Sequence, residues 1–129
     1  MGLAERATVC VIDDDAAVRT AMEFLIASHG LRVRTFATAE EFLAADPKAC
    51  GCGDCLVLDL HMPGVNGAEL QERLDREGHG LPVVVLTARP HDELSRRAVA
   101  AGARTIVSKP VDPQHLMTEI RAALAGTTG

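Results

Sequence analysis

The stretch CLVLDLHMPGVNGAELQERL, residues 55–74, decides the fold of this chain. Its opening, Cys55–Asp59, is a near-continuous apolar run rich in branched side chains, the pattern of a strand buried on both faces of a parallel sheet. Leu70 and Leu74 then mark the buried stripe of a helix that ends near Gly78. A strand without a polar face needs cover on both sides, and a helix follows it at once. The same pairing of strand and helix recurs on either side.

Working outward, TVCVI (Thr8–Ile12), PVVVLT (82–87) and TIVS (Thr105–Ser108) read as strands of the same buried kind, whereas LRVRTF (31–36) alternates apolar and basic residues, as an edge strand with one wetter face does. Val18, Met22, Leu25 and Ile26 share one face of a helix that stops at Gly30. Thr38, with Glu41 three residues later, is a capping-box pattern opening a short helix through Phe42 and Leu43. Residues 92–101 read as a fourth helix stopped by Gly102. Asp112 and Pro113 suit the cap and first position of a fifth, whose stripe is Leu116, Ile120 and Leu124. Residues 126–129 are small and polar, and are expected to fray.

Five β-α repeats imply an α/β fold with a doubly wound parallel sheet and five helices, because right-handed crossovers place helices on both faces. The functional site of such a sheet lies at the carboxyl ends of its strands. Asp13 and Asp14 end the first strand, Asp59 the third and Thr87 the fourth, while Lys109 follows the fifth. Every candidate reactive side chain therefore falls on one edge.

The 129 residues, 47% hydrophobic and 24% charged, suit one domain of ordinary size with its own core. A net charge of −5 and only two lysines, Lys48 and Lys109, argue against a nucleic-acid surface. Lys48 reads as a solvated loop residue. Phe24, Phe36 and Phe42 are the only aromatics, too few for base-stacking platforms or aromatic cages. No apolar run reaches the roughly 18 residues of a membrane span, and the first seven residues lack an apolar signal core, so the expected location is cytoplasmic.

Three carboxylates on one edge repel one another, by roughly 4 kcal/mol for a pair 4 Å apart at an effective dielectric of about 20. Asp13, Asp14 and Asp59 contribute −3 and Lys109 +1, so one divalent cation brings the site close to neutrality. Oxygen ligands alone favour Mg²⁺ or Mn²⁺ over Zn²⁺. A carboxylate is also a competent nucleophile toward phosphorus, giving an acyl phosphate. Asp15, just past the pair, reads as the cap of the first helix rather than a ligand.

VIDDD, LVLDLHMPGVNG, VVVLTA and SKP, in this order and spacing, resemble the receiver domain of two-component response regulators, over about residues 8–124. CLVLDLHMPGVNGAELQERL and TFATAEEFL resemble FixJ-like receivers in particular, within the CheY-like superfamily. The resemblance implies a flavodoxin-like sheet of order 2-1-3-4-5 and a single receiver domain over 1–129. It implies Asp59 as phospho-acceptor, Asp14 as a direct Mg²⁺ ligand, Asp13 acting through water, and the main-chain carbonyl of His61 as a further ligand. Thr87 and Lys109 would contact the phosphoryl oxygens; Pro63, Gly64 and Gly67 match the turn after the acceptor. The implied partners are a sensor histidine kinase or phosphotransfer protein as donor, and a downstream effector or a second copy at 92–101, 105–108 and 114–124. No membrane partner, and no direct contact of this chain with nucleic acid, is implied. FixJ-like receivers usually precede a DNA-binding domain, and the few residues after Leu124 leave two expectations open, a truncated chain or a single-domain regulator.

Three features depart from the family or lie outside it. Ile106 stands where receivers usually carry Phe or Tyr, and a branched aliphatic cannot swing a ring through the sheet. Activation is then expected to run through residues 88–91 and the fourth helix. His61 and Arg89, two residues past Asp59 and Thr87, are expected at the site mouth, where they either steer water or merely form a solvated rim. Cys50, Cys52 and Cys55 crowd the opposite end of the sheet, either as incidental thiols of a small-residue loop or, with Cys10 as a remote fourth, as a redox or zinc site. The competing functions are an aspartyl-nucleophile phosphatase and a degenerate receiver that works without phosphorylation. The first lacks a second acid-base residue beside Asp59-Leu60-His61, and the intact acceptor set argues against the second.

Overall fold

The computed structural model describes residues 7–45, 54–78 and 80–126. Strands β1 (Thr8–Ile12), β2 (Arg32–Phe36), β3 (Cys55–Asp59), β4 (Val83–Thr87) and β5 (Thr105–Ser108) alternate with helices α1 (Ala16–Ser28), α2 (Ala39–Ala44), α3 (Gly67–Arg76), α4 (Glu93–Ala100) and α5 (Pro113–Gly126). The strands form one parallel sheet in the order β2-β1-β3-β4-β5, as expected from the sequence.

Strand side chains alternate between two cores. Val9, Val11, Val57, Val84 and Leu86 pack with Met22 and Ile26 of α1 and Leu116 and Ile120 of α5. Cys10, Ile12, Leu56, Leu58 and Val85 pack with Phe42 of α2, Leu70 and Leu74 of α3 and Ala98 of α4. This two-sided burial is the physical cause of the unbroken apolar runs in β1, β3 and β4, all of whose residues are buried. The edge strand β2 alternates exposure, as its basic residues require. The other edge, β5, differs from the reading of TIVS as buried on both faces. Only Val107 is fully buried there, because no strand lies beyond it.

Helix starts follow local chemistry. The Asp15 carboxylate accepts the amides of Ala17 and Val18, confirming it as the cap of α1. Thr38 caps α2, but its partner Glu41 takes the amide of Ala37, one residue before the cap, so the reciprocal half of the box is displaced. The full box lies at α3, where Asn66 accepts the Glu69 amide and Glu69 accepts the Asn66 amide. Asp92 caps α4, and the Asp112 carboxylate accepts the Gln114 amide at the start of α5. Helices α3 and α4 are tied together by a bidentate Arg97–Glu72 pair and by Gln71 Nε2 donating to the Ala101 carbonyl. Gly126 is the last residue of α5; residues 127–129 lie outside the described residues.

The cysteine reading divides. Cys50, Cys52 and Lys48 lie outside the described residues. Cys10 and Cys55 are both buried, in opposite cores, so they cannot share a metal or a disulfide in this fold. Burial pushes the Cys55 thiol up to about 12, against the pull of Arg104, and leaves it protonated and unreactive at neutral pH.

Candidate functional site

Parallel strands that end in register bring the candidate residues to one edge. The Lys109 amide donates to the Thr87 carbonyl at 2.9 Å, and the Leu60 amide to the Leu86 carbonyl at 3.2 Å, so β3, β4 and β5 finish side by side. The acidic residues at the ends of β1 and β3 and the lysine after β5 gather around a common centre. Ligand oxygens of Asp13, Asp14 and Asp59 lie within 4.8 Å of one another. Asp13 and Asp59 are buried, Asp14 is exposed, and Thr87 is fully buried.

Lys109 joins them. Its Nζ lies 3.2 Å from Asp13 Oδ2 and 3.3 Å from Asp59 Oδ1, with the ammonium side chain 26% exposed. Burial, and then the charge of Asp13, push Asp59 above the usual carboxylate range, against the opposing effect of Lys109 and the His61 amide. Burial alone would pull Lys109 down, yet the charges of Asp59 and Asp13 outweigh it and hold the ammonium above its usual value. The lysine is therefore cationic throughout the neutral range, and two buried carboxylates share its one positive charge. An all-oxygen donor set still carrying excess negative charge fits a hard divalent cation such as Mg²⁺.

Two glycines shape the turn after Asp59. Gly64 has φ near +75°, which a side chain rarely adopts. Gly67 is needed for space, since a Cβ there would stand 2.5 Å from the Asp59 carbonyl oxygen and 2.7 Å from Leu60 Cα. The turn presses the start of α3 against the backbone of the acceptor residue and so holds the carboxylate in place.

Other polar contacts around the site escaped the sequence reading. Arg19 donates to the Asp13 carbonyl at 2.6 Å and fixes the peptide between the two acidic residues. The Thr87 hydroxyl accepts the Arg89 amide at 2.9 Å, and the Arg89 carbonyl accepts the Ser95 hydroxyl at 2.8 Å. His61 does not simply line the mouth, since its Nε2 lies 3.1 Å from Asp92 Oδ2. The Ser95 amide, more than His61, holds the Asp92 carboxyl below its usual range. The spacing Asp92-x-x-Ser95 is a legible cap signal, but nothing local links Asp92 to His61. Ile106 is half-buried in the wall of a shallow groove of about 400 Å³, beside His91, Ser95 and Val99.

Known proteins are similar to this chain in sequence and fold. A family model described as the response regulator receiver domain matches residues 9–121. TdiR of Thauera aromatica, a transcriptional regulatory protein, is 42% identical over 118 residues, which are 92% of this chain and 51% of TdiR. FixJ of Azorhizobium caulinodans, also a transcriptional regulatory protein, is 38% identical over 121 residues, 93% of this chain and 56% of FixJ. The solved structure of the response regulator StyR matches with a TM-score of 0.81 and 38% identity, over 92% of this chain and 59% of that one. The chain thus spans about half the length of the curated relatives it matches. Fold, acidic edge and matched residues together make this chain a member of the response regulator receiver domain family.

Proposed function

We propose that Asp59 accepts a phosphoryl group from a phosphohistidine of a sensor kinase or phosphotransfer protein, and that the phosphorylated chain changes its affinity for a partner. Phosphorylation on an aspartate is the general mechanism of this family, whose members signal rather than catalyse a metabolic reaction. The observation that carries the assignment is Lys109 Nζ, held between Asp59 Oδ1 and Asp13 Oδ2 at the rim of an acidic cluster.

In the transfer, an Asp59 oxygen forms a bond to phosphorus as the donor's N–P bond breaks, and the imidazole leaves with its electron pair. Lys109 then turns from the carboxylate to a phosphoryl oxygen, and Thr87 donates its hydroxyl to another. Asp13, Asp14, Asp59 and the main-chain carbonyl of His61 would hold Mg²⁺ or Mn²⁺, the three carboxylates on the strength of their place in the acidic cluster. A bound divalent cation neutralises charge on the equatorial phosphoryl oxygens. The chain's own contribution is position and charge, so small phosphodonors should also serve and the adduct should hydrolyse without a partner.

The exchange of a carboxylate near −1 for a phosphoryl group near −2 is a large local change. It reaches partners through α4, β5 and α5, the surface we assign to an effector or a second copy. Ile106 in place of an aromatic favours a route through residues 88–91 and α4. Residues 8–124 are read as the core of one receiver domain, and the names of the longer relatives support a transcriptional output for a longer protein. Among the described residues no helix is long and apolar enough to cross a membrane, in keeping with a cytoplasmic role.

Incubation with Mg²⁺ and acetyl phosphate, read by intact mass on this chain and on Asp59→Asn, tests the assignment. One phosphoryl group should appear on the first and none on the second. Labelling that survives the substitution would reject Asp59 as acceptor. No labelling of either would favour a phosphorylation-independent receiver, and rapid turnover of donor would favour a phosphatase.

A further inference from the structure

His61 and Asp92 meet between two separate loops. His61 Nε2 lies 3.1 Å from Asp92 Oδ2, while Asp92 Oδ1 accepts the Ser95 amide at 2.9 Å and caps α4. One carboxylate thus holds an imidazole with one oxygen and the first turn of a helix with the other. The contact needs no charge on the ring, because a neutral imidazole protonated at Nε2 also donates to a carboxylate. At its other end His61 follows the acceptor by two residues, and its main-chain N–H favours the ionised form of Asp59. The ring is therefore hinged two residues along the chain from the reacting carboxylate. Its side chain is 35% exposed, so core packing does not choose among its staggered rotamers. Asp92 is the group that chooses.

We propose that Asp92 is a positioning residue for phosphoryl transfer: it draws the His61 imidazole aside toward α4 and keeps the approach to Asp59 open. The proposal rests on Asp59 being the acceptor. Released from Asp92, the ring samples rotamers across the mouth and obstructs whatever enters from outside. A donor entering to form the O–P bond and a water entering to break it use the same approach. In hydrolysis the water oxygen bonds to phosphorus, the Asp59 O–P bond breaks, and the water's proton passes to solvent. An obstruction slows both directions together, whereas a freed imidazole acting as a base would speed hydrolysis alone.

Asp92→Ser separates this role from the helix cap, because serine caps helices well but is too short to reach His61. With the full chain, Mg²⁺ and phosphoramidate as small donor, intact mass gives the rate of labelling, and its decay after donor removal gives hydrolysis. Both rates should fall by twofold up to about fivefold in Asp92→Ser, the range of population change a partly exposed contact can impose. The fall should vanish when Asp92→Ser is made in a His61→Ala background. Unmoved rates, faster hydrolysis alone, or an equal fall in the His61→Ala background would each overturn the proposal. An original chain that takes no phosphoryl group would remove the acceptor assignment as well, whereas one that labels normally leaves only this inference at stake.

Discussion

The two loops that border Asp59 are held by different means. The loop from β3 to α3, residues 60–66, is closed by backbone and space: the Gly67 amide donates to the Leu60 carbonyl at 2.9 Å, and no Cβ fits at 67. A reciprocal cap at Asn66 and Glu69 completes it. The loop from β4 to α4, residues 88–92, has one long backbone bond, from the Asp92 amide to the Arg89 carbonyl at 3.3 Å, and is otherwise held by side chains: the Thr87 hydroxyl on the Arg89 amide, the Ser95 hydroxyl on the Arg89 carbonyl, and Asp92 on both Ser95 and His61. Steric closure has no alternative arrangement. Hydrogen bonds near water are each worth about 1 kcal/mol net and can be exchanged for others. A new charge at Asp59 can therefore be answered by the second loop while the first stays fixed, and Thr87 belongs to both the site and that loop.

The strongest way to break this contrast is Gly67→Ala. A methyl group 2.5 Å from a backbone oxygen forces the turn apart, and denaturant unfolding should show a loss of about 3 kcal/mol. A loss below about 1 kcal/mol would mean that the first loop is adjustable after all. Next in size is Asp59→Asn. Because burial and Asp13 raise the folded-state pKa of Asp59 above 3.8, the folded chain holds this proton more tightly than the unfolded chain. Its contribution to stability is present below 3.8 and is lost as pH rises through the folded value. At neutral pH the ionised acceptor is a standing cost, so Asp59→Asn should stabilise the metal-free chain by about 1 kcal/mol, or roughly 3–5 °C in Tm. That gain should shrink on acidification toward pH 4, and a gain constant with pH would refute the electrostatic account. The smallest effect is expected from Ser95→Ala, which removes the hydroxyl from the Arg89 carbonyl. Stability should fall by about 0.5–1 kcal/mol, and amide exchange should quicken over residues 89–95 but not over 60–67. Equal quickening in both loops would erase the distinction between them.

Much of this is legible in the sequence. Buried strands announce themselves as apolar runs, and residues such as Asp15 and Asp112 cap helices through contacts two or three positions away. The edge of the sheet that carries Asp13, Asp14, Asp59, Thr87 and Lys109 follows from the alternation alone. Apart from the local box at Thr38 and Glu41, two readings that needed correction depended on neighbours rather than on local pattern. TIVS looks like a central strand, yet β5 has no strand beyond it. Cys10 and Cys55 lie on adjacent strands, but the pairing of Cys10 with Leu56 sends their side chains into opposite cores.

Local pattern, then, determined the five β-α units, the single functional edge and the residue types gathered there, because hydrophobic period, caps and turns act over a few residues. Tertiary structure decided which atoms meet. Lys109 bridges to Asp13 across 96 positions and to Asp59 across 50, and His61 finds Asp92 between two loops that share no sequence signal. Such pairs depend on strand register and on how each helix packs against the sheet. Those are sums over the whole core, and no short stretch of chain contains them.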